Sequence, residues 1–169
     1  MTETILVTYG SKYGSTAEIA QRIGEVLTKE GLTADVRPAA DVADLAPYDA
    51  VVLGSGLYAG RWHRDARRFA RRHRRALVRR PVWLFSSGPL DASAAQREIP
   101  PTPGVRHIAD QVAAHGHVTF GGCLEGDVKG PMARMIVNSG KGGDFRDFEQ
   151  IAAWATTVAQ NLTAESRRH

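Results

Sequence analysis

TILVTYGSKYGSTAEIA, residues 4–20, is the stretch from which the architecture of this chain follows. It begins with the apolar, β-branched run Ile5–Val7, whose length suits a buried strand. A turn of small and polar residues follows, and the pattern becomes helical at Ser15, where Ser15 and Glu18 match the S-x-x-E capping box. The order strand, glycine-containing loop and helix gathers unpaired N–H groups and the positive end of the helix dipole at one point. Such a point suits a phosphate.

The opening loop leaves two interpretations. Strand-loop-helix openings occur in many α/β domains, so Gly10 and Gly14 could serve only the turn. A nucleoside-triphosphate site is disfavoured, because the Walker A motif places its lysine directly after the second glycine. Here Lys12 comes before Gly14. On the residues alone, phosphate binding and a simple turn both stay open.

Apolar runs alternate with helical patterns along the rest of the chain. Further strands are predicted over residues 32–37, 49–55, 82–85 and 117–123, and further helices over 66–77, 105–114 and 145–162. Irregular segments are predicted over 89–103 and 124–143, the latter with a short helix around 132–137. Strands that alternate with helices predict a doubly wound parallel sheet with helices on both faces.

Length and composition limit the class of protein. A chain of 169 residues suggests a single domain, 1–169, large enough to bury a core. No apolar run approaches the roughly 18 residues of a membrane span, and the N-terminus lacks a signal-peptide pattern. The single cysteine, Cys123, excludes an internal disulfide, and the histidines show no metal-ligand spacing beyond His115 and His117. We therefore expect a cytoplasmic protein without a metal, with peripheral contact at the inner face of the membrane left open.

The net charge of +4 comes from one segment. Residues 61–80 hold ten arginines and one acid, Asp65, which leaves 12 basic and 17 acidic residues elsewhere. Helical periodicity predicts outward-facing arginines at positions 64, 67, 68, 71, 72, 74 and 75. The face could be merely solvated, attract an acidic small molecule, rest on an anionic membrane or bind nucleic acid. Nucleic acid ranks last, because no stacking aromatics or known module accompany the arginines.

A second glycine motif, GSGLYA at Gly54–Ala59, fits the dinucleotide fingerprint G-x-G-x-x-[GA]. It follows the third predicted strand rather than the first, and the next helix begins only after Trp62. No acidic residue stands about 20 residues further on to bind a ribose. NAD binding is therefore disfavoured.

The segment YGSKYGST, Tyr9–Thr16, resembles the FMN-phosphate loop of the flavodoxin superfamily, [ST]-x-[ST]-G-x-T. Ser11, Gly14 and Thr16 match, whereas Tyr13 stands where the family prefers threonine or serine. The resemblance spans nearly the whole chain. It implies a flavodoxin-like five-stranded parallel sheet in the order 2-1-3-4-5, with FMN outside the carboxyl ends of the strands, where loops 10–16, 55–62 and 86–91 would converge.

The same resemblance implies a set of site residues. They are Ser11, Lys12, Tyr13, Gly14, Ser15 and Thr16 around the phosphate, Ser55, Gly56, Leu57, Tyr58 and Trp62 in the first ring loop, and Ser86, Ser87 and Gly88 in the second. Tyr58 or Trp62 is expected to stack on a ring face, with packing against the basic helix as the alternative for Trp62. The second loop is expected to direct backbone N–H donors at the pyrimidine edge. His63 is the candidate catalytic residue, for proton transfer at flavin N5, with local hydrogen bonding at the helix start as its alternative.

Within the superfamily, the chain most resembles the menaquinone-dependent protoporphyrinogen oxidase group. The resemblance rests on a short basic helix at Gly60–His63 and on Ser139–Gly143 before a tryptophan-containing final helix. It implies an oxidoreductase that passes electrons from an acidic porphyrinogen through FMN to a quinone. The alternatives are a small electron carrier, of a kind that is typically acidic, and a binding module that has lost its flavin. Segment 124–143 would cover the site or mediate a homodimer.

Overall fold

The computed structural model describes residues 3–11, 14–58, 60–88, 99–122 and 146–168. Several predictions concern residues outside these ranges, namely Lys12, Tyr13, Ala59, Cys123, the loop 124–143 with its short helix, and most of the loop 89–103. The elements are β1 (Thr4–Gly10), α1 (Ser15–Lys29), β2 (Thr33–Pro38), β3 (Ala50–Tyr58), β4 (Arg61–Trp62), α2 (Arg64–Arg72), α3 (Arg74–Leu77), β5 (Val82–Ser87), α4 (Pro103–Val112), β6 (Gly116–Phe120) and α5 (Phe148–Arg168). A 3-10 turn at Ala39–Asp41 follows β2.

Five strands form a parallel sheet in the order β2-β1-β3-β5-β6. This is the predicted flavodoxin-like order, and the fold prediction is confirmed. The short strand β4 was not predicted. It pairs antiparallel with the end of β3, where Leu57 lies opposite Trp62.

The predicted short basic helix at Gly60–His63 is therefore wrong. Gly60 adopts a φ of 79°, a conformation that glycine takes without a steric penalty. The chain can thus reverse tightly after Tyr58, and Arg61 pairs back with it. The loop becomes a small hairpin that holds Trp62 against the sheet.

The sheet has a hydrophobic core on each face, because successive side chains of a strand point to opposite sides. Val7, Val52 and Phe85 pack on one face with α1 and α5. On the other face Leu53 and Leu84 pack with α2, α3 and α4. All five side chains are fully buried, as the continuous apolar runs predicted for parallel strands.

The arginine-rich segment forms two helices where the periodicity predicts one. The backbone of His73 leaves the helical range, with a φ of −103° and a ψ of 17°, and separates α2 from α3. The periodicity predicts an inward stripe in this segment, of which four residues are buried and His73 is only half-buried; the buried ones are Ala66, Phe69, Ala70 and Leu77. Among the described residues, every helix is too short or too polar to cross a bilayer.

Gly54 tests how tightly the centre of the sheet is packed. A Cβ at this position would stand 2.2 Å from ring atoms of Phe85, which is itself fully buried. We expect Gly54→Ala to lower the free energy of unfolding by roughly 2–3 kcal/mol, because the buried ring has no free space to move into. Chemical denaturation of the two proteins would measure the difference.

Gly104→Ala is the matched control, because a Cβ there meets nothing within 4 Å and the residue lies in α4. It should leave stability unchanged or raise it by up to about 1 kcal/mol. Equal stability of the Gly54→Ala variant and the parent protein would contradict the packing described for β3 and β5.

Candidate functional site

The carboxyl ends of three neighbouring strands open at one edge of the sheet. Gly10 of β1 lies beside Ser55 of β3, and Gly56 of β3 lies beside Ser87 of β5. The loops that follow these strands therefore leave the sheet at the same place, as the strand order predicts. The candidate site lies at this edge, where the three loops begin.

The loop between β1 and α1 turns at Gly14. Ser11 Oγ accepts a hydrogen bond of 3.0 Å from the Gly14 N–H, and Gly14 has a φ of 84°. The N–H groups of Ala17 and Glu18 both donate to the Gly14 carbonyl. The N–H groups of Ser15 and Thr16 belong to the first helical turn, which has no intrahelical acceptor for them. These two donors lie at the positive end of the helix dipole, a few residues after the end of β1.

The predicted capping box at Ser15 and Glu18 is wrong. Gly14 is the N-cap residue, and α1 has no side-chain cap, because Ser15 already lies within the helix. Glu18 instead accepts a hydrogen bond of 2.8 Å from Arg146 Nη1, which also donates to the Ser15 carbonyl at 3.1 Å. The Arg146 side chain is only 6% exposed. It fastens the residues before α5 to the first turn of α1 and brings a cation next to the loop.

Thr16 is the residue of this loop that most clearly indicates a ligand. Its side chain is 1% exposed, and its Oγ1 has no hydrogen-bond partner among the described residues. A buried hydroxyl without a partner costs about 1–3 kcal/mol. The atom lies 3.2 Å from the place where a Cβ on Gly56 would stand, so Thr16 faces the end of β3. A polar group bound between the two loops would satisfy it.

Gly56 is where the first two loops meet. A Cβ on this residue would stand 2.9 Å from Tyr58 Oη as well as close to Thr16. The Tyr58 ring is half-buried and meets the His63 ring edge-on, with the centroids 5.9 Å apart. Because position 56 has no side chain, the Tyr58 hydroxyl can approach the backbone of β3. Tyr58 is thus brought to the mouth of the site with Thr16, whereas Leu57 packs against the core on the α2 face of the sheet.

Trp62 does not face the site, and its predicted stacking on a ligand ring is wrong. Its side chain is 2% exposed and packs in the core beneath α2, so that neither face of the indole is open. The indole Nε1 donates to Ser86 Oγ at 2.9 Å, and that hydroxyl lies 3.0 Å from His117 Nε2. The alternative interpretation, packing against the basic helix, is the one that the structure shows. Of the two aromatic residues proposed to stack, Tyr58 is the one that lies at the site edge.

The hydroxyls of Ser55 and Ser86 also point away from the site edge, because both side chains lie on the α2 face of the sheet. Ser55 Oγ accepts from the His63 N–H at 2.8 Å and donates to the Gly56 carbonyl. Gly88 N–H donates to the Phe120 carbonyl at 2.9 Å, continuing the pairing of β5 with β6. The Gly88 N–H is therefore used within the sheet, and donation to a ligand by the other backbone N–H groups after β5 stays a prediction.

His63 caps the start of α2. Its Nδ1 accepts the Asp65 N–H at 3.1 Å and lies 3.7 Å from the Asp65 carboxylate. The hydrogen bond at the helix start, which was the alternative role for His63, is present and uses Nδ1. Nε2 is the atom with which this half-buried ring can exchange a proton.

His117 is a site-supporting residue that the sequence pattern did not reveal. Burial lowers the pKa of His117 from 6.5 to about 4, so the ring is neutral near pH 7. A neutral Nε2 can accept a hydrogen bond from the Ser86 hydroxyl. Ser86 Oγ in turn accepts a hydrogen bond from the Trp62 indole N–H. Protonation would turn Nε2 into a donor and leave the Ser86 proton without this acceptor.

This arrangement predicts an acid-sensitive fold. The unfolded chain takes up a proton at His117 near pH 6.5 and the folded chain near pH 4, so stability contributed by the neutral ring falls as the pH drops through that interval. The loss reaches at most about 3 kcal/mol. We expect His117→Gln to remove this part of the pH dependence while retaining a hydrogen bond to Ser86. Denaturation curves from pH 7 to pH 4 would measure it.

His107→Gln, at an exposed position on α4, is the control and should keep the parental pH dependence. A His117→Gln variant whose stability falls with acid as steeply as that of the parent would refute the role given to His117.

The family model described as Flavodoxin domain matches residues 6–139, which include the β1–α1 loop and the ends of β3 and β5. No curated protein matches the chain at a significant level.

Solved structures share the fold at low sequence identity. Rubredoxin:oxygen oxidoreductase from the anaerobe Desulfovibrio gigas has a TM-score of 0.66 at 15% identity, covering 96% of this chain and 37% of its own. A flavodoxin from Pseudomonas aeruginosa has a TM-score of 0.61 at 16% identity, covering 95% and 99%. Oxidised flavodoxin 2 from Bacillus cereus has a TM-score of 0.60 at 18% identity, covering 94% and 99%. At these identities the likeness establishes the fold alone.

Proposed function

Because the chain belongs to the flavodoxin-domain family, we propose that it binds FMN at the carboxyl edge of its sheet and serves in electron transfer. Flavodoxin-domain homologues bind FMN. The observation that carries the proposal is the buried Thr16 hydroxyl, which has no partner among the described residues and lies at the start of α1 beside Gly56. A phosphate oxygen is the kind of acceptor that such a hydroxyl needs.

The residues present fit the phosphate end of FMN. Ser11 and Gly14 shape the turn, and Ser15 and Thr16 offer the backbone donors of the first helical turn. Gly14 has open space where a side chain would stand, so a ligand can approach its backbone. The dianion would also lie near the positive end of the α1 dipole, which favours it.

The ring end of FMN would lie over the ends of β3 and β5. When bound, FMN supplies the redox chemistry by accepting electrons from one reactant and giving them to another. Tyr58 would contact a ring face, and Gly56 would let the ring approach the backbone of β3. His63 Nε2 would move a proton at the reacting edge, while its Nδ1 stays bonded to the start of α2.

Thr16→Val tests the phosphate contact. The change removes the hydroxyl and keeps the branched shape, so FMN affinity should fall about 10- to 100-fold, the value of a hydrogen bond to a charged group. Riboflavin lacks the phosphate, so its affinity should not change. Titrations that follow flavin fluorescence with both ligands would measure the two effects.

Thr8→Val is the matched control, because Thr8 Oγ1 is equally buried and also has no partner among the described residues, but it lies within β1. It should bind FMN as the parent does. A parent protein that remains colourless after incubation with FMN, or that binds riboflavin as tightly as FMN, would overturn the proposal.

Within this function we further propose an oxidoreductase similar to the menaquinone-dependent protoporphyrinogen oxidases, which would pass electrons from an acidic porphyrinogen to a quinone. The positive charge of the chain supports this assignment. Small flavodoxin carriers are typically acidic, whereas this chain has a net charge of +4 and ten arginines in residues 61–80. Arginine pairs well with the carboxylates of such a substrate.

Anaerobic oxidation of protoporphyrinogen by the FMN-loaded protein tests this assignment. Porphyrin fluorescence should appear, with sustained turnover only when menadione is present as the quinone. His63→Asn should lower the rate roughly 100-fold without a change in melting temperature, because asparagine can still accept the Asp65 N–H as an N-cap.

The electron-carrier alternative gives a different result. The loaded protein would then accept electrons from a flavodoxin reductase and show no porphyrinogen oxidation in either condition. A His63→Asn variant with the parental rate would remove His63 from the chemistry while leaving FMN binding intact.

A further inference from the structure

The exposed arginines of α2 and α3 form a surface outside the proposed FMN contacts, although the porphyrinogen assignment also rests on their charge. We name it the arginine face, and its members are Arg64, Arg67, Arg68, Arg71, Arg72, Arg74 and Arg75. All seven are exposed, as the helical periodicity predicts. The apolar side of the same helices packs in the core with Phe69 and Leu77 fully or nearly fully buried. The two helices thus have one apolar side and one side that is almost entirely guanidinium.

The described part of the protein supplies little to balance these charges. No carboxylate of the described residues comes within 4.0 Å of any of the seven guanidinium groups. Arg67 donates from Nε to the Trp62 carbonyl at 3.1 Å. The one acid in the segment, Asp65, lies against His63 instead. The guanidinium groups of the other six arginines therefore have no hydrogen-bonding or ion-pair partner among the described residues.

Fold stability does not explain this density of charge. Positions 64 and 68, 67 and 71, and 68 and 72 are neighbours on the surface of α2 at a spacing of four residues. Like charges at that spacing destabilise a helix. By contrast Arg80, which lies outside the arginine face, donates hydrogen bonds to the carbonyls of Leu45 and Tyr48. These bonds stabilise the segment before β3. The seven exposed arginines make no comparable set of internal contacts.

The surface is open, and arginines dominate its exposed side chains. One groove of about 440 Å³ runs between the 3-10 turn and α2, and another of about 570 Å³ lies beside α3 and Gln111 of α4. Arg71 and Arg72 border both grooves and so form a ridge between them. Val78 is the exposed large hydrophobic residue at this place. Protein interfaces usually depend on several buried aromatic or aliphatic anchors, and Val78 is a single candidate among the described residues here.

We propose that the arginine face rests on an anionic phospholipid surface, where the guanidinium groups bond lipid phosphates. A plane of phosphates offers an acceptor to every arginine of an open ridge at once. The rest of the chain carries 12 basic and 17 acidic residues, so its net negative charge orients the molecule with the arginine face towards the lipid. Nucleic acid is the less favoured partner, because no exposed aromatic side chain interleaves with the arginines to stack on bases.

The face begins next to the candidate site. Arg64 follows His63 directly, and α2 leads away from the carboxyl edge of the sheet. Contact with a membrane would therefore hold the site edge near the lipid surface. This inference does not depend on FMN, because none of the seven arginines belongs to the proposed FMN contacts.

Sedimentation with lipid vesicles tests the proposal, with the full chain and two vesicle types. The protein should bind vesicles that contain phosphatidylglycerol at low salt, release at high salt, and ignore vesicles of phosphatidylcholine alone. Replacing Arg68, Arg71 and Arg75 together by glutamine should weaken the binding about a hundred-fold, roughly five-fold for each charge. Melting temperatures would verify that the variant is folded, and the removal of like charges should not lower them.

Two matched variants show whether binding depends on the positive charge of this face, on guanidinium geometry or only on the net charge of the protein. Replacing the same three arginines by lysine keeps the charge and should retain most of the binding, whereas a partner that needs the planar guanidinium would be lost. Replacing Arg22, Lys29 and Arg37 by glutamine makes the same change in net charge on α1 and β2, away from the arginine face. This control should bind vesicles as the parent does.

Several results would overturn the proposal. Equal binding to both vesicle types, or undiminished binding by the triple glutamine variant, would exclude an electrostatic contact through this face. Tighter binding to duplex DNA than to phosphatidylglycerol vesicles at equal phosphate concentration would identify nucleic acid as the partner. Full competition by inorganic phosphate at that same concentration would indicate a site for a free anion rather than for a lipid surface.

Discussion

The register of the three central parallel strands is the constraint on which the rest of this structure depends. Backbone pairing sets Gly10 beside Ser55 and Gly56 beside Ser87, so β1, β3 and β5 end at the same edge. The residues that meet there come from loops that are distant in the chain. Their meeting requires no contact between the loops themselves, because hydrogen bonds inside the sheet have already placed their starting points. A site at this edge is therefore a consequence of the strand order.

Small residues then let a helix attach to the same edge. A Cβ on Gly10 would stand 2.9 Å from the Ala66 backbone nitrogen, so α2 can lie directly against the end of β1. Ser55 holds the start of that helix through the His63 N–H. Burial of the inner side of α2 stabilises it, while its outer side contributes little to the fold. That outer side is consequently free to carry a dense positive charge for an interaction with something outside the chain.

Much of the architecture could be predicted from local patterns. Strands with continuous apolar runs, helices with a 3.6-residue stripe, and the alternation between them indicate a doubly wound parallel sheet and the exposure of the arginines. The same patterns indicate that the loop before Ser15 and the loops after β3 and β5 share one edge. The capping box and the basic helix at Gly60–His63 failed because left-handed glycines at 14 and 60 redirect the backbone. Spacing alone does not reveal which glycine adopts that conformation.

The sequence by itself determined the order of the elements, the two faces of the core and the position of the charged helix, because each depends on a period of two or 3.6 residues along the chain. Tertiary structure alone decided which side chains reach the site edge. Trp62 turns inward to a hydroxyl 24 residues away, that of Ser86, and Arg146 bonds a carbonyl 131 residues away, that of Ser15. No local period connects residues at such separations. Their contacts exist because packing on the two faces of the sheet brings distant segments together.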